Sequence, residues 1–70
     1  MSKLPSEKAI CVLAALLRIG WRIKRQSGSH KTLARDCWPD LVFASHDGEE
    51  IGPRMLVCIA KRSGLRPEDL

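Results

Sequence analysis

Seventy residues, 44% of them apolar, suffice for one domain over 1–70 but not for a deep cofactor cavity, because so short a chain buries only about 60% of the surface its unfolded form exposes. Trp21, Trp38 and Phe43, with no tyrosine, are too few for a sheet on which RNA bases stack. The net charge of +4 is uneven: residues 1–35 carry eight Lys or Arg against Glu7 alone, residues 36–70 carry four against seven acids, and Arg18 to Arg35 hold six bases and no acid.

A basic half beside an acidic one points to a polyanionic partner, most often nucleic acid. The bland alternative is a charged face that only keeps the chain soluble. At the start, Lys3 and Lys8 before Ile10–Leu17 imitate a secretion signal. Arg18 follows at once, no small-residue cleavage site appears, and the run is too short to span a bilayer. The expectation is a helix of a cytoplasmic protein with no membrane contact. Ser6 reads as its N-cap, with Glu7 placed against the helix dipole. The helix runs to about Ile19 and stops at Gly20. Ile10, Leu13, Ala14 and Leu17 form one stripe, and Val12, Leu16 and Ile19 a second apolar flank beside it. That second flank is either part of a broad core face or a surface that meets another chain.

Trp21 and Ile23 alternate with Arg22 and Lys24, the period of a half-buried strand anchored by the two apolar residues, and Gln26 continues the polar face. Ser27-Gly28-Ser29 supplies a turn in which Gly28 takes a positive φ without penalty. A return strand over His30–Arg35 places Lys31 and Leu33 on one face and His30, Thr32 and Ala34 on the other. Asp36 to Asp40 reads as a connection, Leu41–Ala44 as a third strand, and Ser45–Glu50 as a polar loop. Gly52-Pro53 opens a second helix. Its core stripe is Met55, Leu56, Ile59 and Ala60, and Gly64-Leu65 closes it. The order is α-β-β-β-α, an α+β fold with two helices on one face of a three-stranded antiparallel sheet.

Cys11, Cys37 and Cys58 cannot all pair, and none stands in a CxxC. Cys11 and Cys58 lie in apolar helical runs, where a free thiol behaves as a small hydrophobe. A reducing compartment follows. No ligand spacing joins the cysteines to His30 and His46 in a zinc site, so neither a metal nor any other cofactor is expected.

His30 follows the glycine turn amid Arg25, Lys31 and Arg35. The setting suits RNA cleavage. Attack of a ribose 2′-hydroxyl on its neighbouring phosphate needs a base active near neutral pH, which imidazole supplies. It also needs cations against the charge building on the phosphate, a role open to Arg25 and Lys31. Arg22 and Lys24 extend the same basic stretch as further phosphate contacts. The carboxylates concentrate in the other half of the chain, which weighs against a metal-dependent nuclease.

Arg25-Gln26-x-Gly28-Ser29-His30, preceded by a helix ending at Gly20 and by Trp21, resembles the HicA toxins of bacterial toxin–antitoxin pairs. The likeness continues through Leu41-Val42-Phe43-Ala44 and His46, Ile51-Gly52-Pro53 with Leu56 and Ile59, and Lys61-Arg62-Ser63-Gly64-Leu65. It implies a double-stranded-RNA-binding-domain-like fold. It also implies a small metal-independent endoribonuclease, an mRNA interferase that cleaves messenger RNA and stops translation. His30 would be catalytic, with Gly28 and Ser29 the turn that presents it. A HicB-like antitoxin would cover the site in a toxin–antitoxin hetero-oligomer and engage the surplus flank of the first helix. Many members follow GSH with another histidine, where this chain has Lys31, and carry a proline before the position of His46, where it has Ser45. His46 is then the one candidate for a second acid or base. The alternative reading is a non-catalytic RNA-binding module using the same basic face. Substitution of His30 separates the two.

Overall fold

The structure, a computed structural model, describes residues 6–70. Lys3 lies outside them. The elements are β1 (Glu7–Lys8), α1 (Ala9–Arg18), β2 (Arg22–Ser27), β3 (His30–Arg35), β4 (Trp38–Ala44), β5 (Glu50–Ile51) and α2 (Pro53–Ser63), followed by a 3-10 turn over Pro67–Asp69. The three long strands form an antiparallel sheet in the order β2-β3-β4, and the two helices pack on one of its faces. The expected α-β-β-β-α order is therefore present. Added to it is a two-residue antiparallel bridge, β1 to β5, that pairs Glu7 with Ile51 and Lys8 with Glu50.

That bridge changes how α1 begins. Ser6 is not its N-cap. The helix starts at Ala9, with Lys8 in the capping position and no side-chain cap. The carbonyls of Glu49 and Asp47 instead accept from the first-turn N–H groups of Ala9 and Ile10, at 2.8 and 3.1 Å. The loop before β5 thus satisfies donors that a helix leaves open at its start.

The buried face of α1 is also rotated from the expected one. Ala9, Val12, Leu13, Ala15 and Leu16 are buried, whereas Ile10, Ala14 and Leu17 are exposed. A helix apolar over so wide an arc leaves the choice of flank to tertiary packing, and the sheet selected the Val12–Leu16 side. Cys11 and Cys58 are likewise exposed rather than core. The buried residues of α1 join Leu33, Leu41 and Phe43 from the sheet and Leu56 and Ile59 from α2 in one core cluster. Burial of each large side chain contributes about 1.5–3 kcal/mol. Met55, expected in that stripe, is exposed.

Strand β4 begins three residues before the expected Leu41, at Trp38. Arg35 pairs with Trp38, so Asp36 and Cys37 alone make the connection, with Cys37 at a left-handed φ of 71°. Pro39 is tolerated because β4 is an edge strand and the register shifts beside it.

One end of the sheet is locked to α2 by a cluster the sequence patterns did not reveal. The Trp21 indole N–H donates to the Ser63 carbonyl at 3.0 Å, and the Arg35 guanidinium donates to the same oxygen at 3.3 Å. The Ser63 hydroxyl donates to the Ile59 carbonyl at 2.6 Å and accepts from the Leu65 N–H at 3.1 Å. Trp38 meets Trp21 edge-on at 6.0 Å and lies under the Arg35 guanidinium, 5.2 Å from the ring centre. Gly64 closes α2 at φ 77°, and Trp38 sits so near that a β-carbon there would come within 2.9 Å of its ring.

Candidate functional site

The opposite end of the sheet is the β2–β3 hairpin. Ser27 pairs with His30 across a two-residue turn. Gly28, the first turn residue, has φ 60°, and Ser29, the second, is not in the left-handed region, the arrangement for which a two-residue hairpin selects glycine first. All six residues of β2 are exposed, because the helices cover β3 and β4 and leave this edge strand bare. Ile23, expected to anchor the strand, is 43% exposed.

A bulge decides which side chains share a face. The register runs Ile23 to Leu33 and then Arg25 to Thr32, so Lys24 is the extra residue. Simple alternation would group Arg22, Lys24 and Gln26 on one face and Arg25 with Ile23 on the other. After the bulge the parity reverses. Arg25 and Ser27 join Thr32 and His30 on the open face of the sheet, while Gln26 pairs with Lys31 on the helix side.

The open face therefore holds His30 and Arg25. His30 is exposed, and it sits diagonally across the ladder from Arg25, a separation that long side chains bridge. Among the described residues Arg25 has no ion-pair partner. The other two β2 cations are engaged: Lys24 meets the Asp40 carboxylate at 2.8 Å, and Arg22 approaches Asp36 at 3.7 Å. Both pairs are solvent-exposed and exchange readily for a stronger anion.

Lys31 and His46 do not share this face. Lys31 pairs with Phe43 on the helix side and is only 8% exposed. An open cleft of about 370 Å³ lies there, lined by Gln26, Gly28, Ser29, Lys31, Ser45, His46 and Asp47. The candidate residues thus fall into two groups on opposite sides of one hairpin tip, with Gly28 and Ser29 between them. Gln26 and Asp47 went unrecognised as members of the second group. The bulge that turns Gln26 inward has no sequence signature, and Asp47 arrives through a loop. Among the described residues no three of His, Cys, Asp and Glu cluster as a metal site would require, and no helix is long and apolar enough to cross a membrane.

Fold and site together define a class: a small α+β domain of the double-stranded-RNA-binding type with an exposed histidine at a hairpin tip and an exposed arginine on the same open sheet face. The family model for the HicA toxin of bacterial toxin–antitoxin systems matches residues 12–65, and the chain belongs to that family. Membership makes it the toxin side of a pairing with an antitoxin. Comparisons with curated proteins and with solved structures each gave no match.

Proposed function

We propose that this toxin is a metal-independent endoribonuclease that cleaves messenger RNA in the cytoplasm with His30 as its catalytic residue, and that a HicB-like antitoxin holds it inactive. The observation that carries the reading is the placement of His30, unobstructed at a glycine-turned tip with Arg25 diagonal to it on the open sheet face. In the reaction His30 removes the proton from a ribose 2′-hydroxyl, and the 2′-oxygen bonds to the adjacent phosphorus. The bond from phosphorus to the 5′-oxygen breaks, and that oxygen leaves with a proton from imidazolium or water. The products are a 2′,3′-cyclic phosphate and a 5′-hydroxyl. Arg25 faces the extra negative charge on the phosphoryl oxygens, the role a fixed cation serves in such transition states. Arg22 and Lys24 hold flanking phosphates once their exposed carboxylate partners exchange.

The antitoxin would cover the hairpin tip and take up the apolar flank of α1 that the sheet leaves bare, Ile10 and Leu17. Induced expression in a bacterial host tests the function. The wild-type chain should arrest growth and leave messenger RNA with 5′-hydroxyl ends, His30→Ala should do neither, and co-expression of the antitoxin should relieve the arrest. Undiminished cleavage by His30→Ala would sink the reading.

A further inference from the structure

We infer that the cleft on the helix side of the hairpin is a second phosphate-binding site, in which Lys31 and His46 hold a phosphate of the same RNA strand that presents its scissile phosphate to His30. The inference rests on the ribonuclease reading for the identity of the strand, and on the cleft alone for the binding of phosphate.

Lys31 is the starting point. It is 8% exposed as a residue, so its aliphatic stem is covered by the fold and its ammonium group is confined to the little surface it keeps. Here no hydrogen bond or ion pair among the described residues engages the ammonium group. It is not sealed in either, since no fully buried side-chain polar atom among those residues lacks a partner. Its contact with solvent is therefore at the cleft it lines. The same walls carry the Gln26 amide, the Ser29 and Ser45 hydroxyls and the His46 imidazole. The His46 backbone N–H is occupied by the Glu49 carboxylate at 3.2 Å, whereas no hydrogen bond among the described residues engages the ring. One ammonium and several polar side chains lining one open space suit an anion with several oxygens. Asp47 is the single carboxylate on the wall; it lies beyond ion-pair distance of Lys31 and weakens the site without closing it.

The ladder supplies the link to RNA. His30 and Lys31 are consecutive, about 3.8 Å apart at Cα, and point to opposite faces. A strand crossing the hairpin tip over Gly28 and Ser29 would place one phosphate over each. This assigns His46 to binding rather than to acid–base chemistry.

The test measures binding, so it does not depend on cleavage. A short oligoribonucleotide carrying 2′-O-methyl groups throughout, which cannot be cut by the proposed reaction, is titrated at several salt concentrations. Lys31→Met should bind roughly tenfold more weakly, with the slope of log affinity against log salt shallower by about 0.7, the value of one lost single-strand phosphate contact. His46→Gln should weaken binding, and Asp47→Asn should strengthen it. Wild-type affinity and slope in Lys31→Met, with its fold verified by circular dichroism, would overturn the inference. If that variant does not fold, an unchanged affinity in Asp47→Asn would overturn it equally. Failure of the wild-type chain to bind the strand would overturn both this inference and the ribonuclease reading. Loss of cleavage dependence on His30 with binding still dependent on Lys31 would remove the catalytic reading alone. Inorganic phosphate serves as the control: it should perturb the His46 ring resonances only at concentrations far above those needed of the oligonucleotide. Equal potency of the two would mark a site for the free ion and overturn the assignment to RNA.

Discussion

The two ends of the sheet are built on opposite terms. At one, Trp21, Arg35, Trp38, Ser63 and Gly64 are joined by hydrogen bonds, an edge-on aromatic pair and a cation over a ring. At the other, a β-carbon added to Gly28 would meet nothing within 4 Å, and His30 and Arg25 face solvent. A domain of this size has little surplus stability. Holding the helices and sheet together at one end leaves the other free to expose polar groups that contribute nothing to folding. Substitutions at the two ends should therefore separate, the first lowering stability and the second lowering activity.

The largest effect on stability should come from Gly64→Ala. The new β-carbon would stand 2.9 Å from the Trp38 ring at a backbone φ of 77°. Crowding and left-handed strain together should cost about 2–4 kcal/mol, a fall in Tm of roughly 10–20 °C on thermal unfolding. Protein that remains folded should keep its RNA cleavage rate. Gly28→Ala makes the reverse case. Its φ of 60° carries a strain of about 1 kcal/mol with no clash, so Tm should drop by only a few degrees. Cleavage should fall more than tenfold, because the turn sets where His30 points and small misplacements of a catalytic group are expensive.

The smallest effect lies in the C-terminal turn. The Arg66 backbone N–H donates to the Asp69 carboxylate at 2.9 Å and holds its pKa below the ordinary carboxylate value, with the Arg66 and Arg18 charges adding to the shift against a desolvation that opposes it. A depressed carboxyl contributes stability above its unfolded pKa and loses it as pH falls through the folded value. The Tm gap between wild type and Asp69→Asn should thus be slight at neutral pH and vanish on strong acidification. RNA cleavage should not follow it.

What could be read from the sequence was local. Strand β3 has the expected bounds, and Gly52-Pro53 and Gly64 begin and end α2 as their chemistry requires. What escaped was set by distant partners. Ser6 fails as a cap because carbonyls some forty residues later fill that role. The buried side of α1 follows from the shape of the sheet. The bulge at Lys24 places Arg25 beside His30 and sends Gln26 to Lys31. Of the basic residues read as one patch, the structure puts Arg25 with the candidate catalytic histidine and Lys31 behind it.

The central claim is that His30 serves chemistry and not folding. A paired measurement on His30→Ala tests it most directly: thermal unfolding of the purified variant, and cleavage of an RNA strand under conditions where the wild-type chain cuts. The account predicts a Tm within a few degrees of wild type, since an exposed surface residue is worth at most about 0.5 kcal/mol, together with loss of cleavage. Cleavage at the wild-type rate, or a collapse of Tm that accounts for the lost activity, would contradict it.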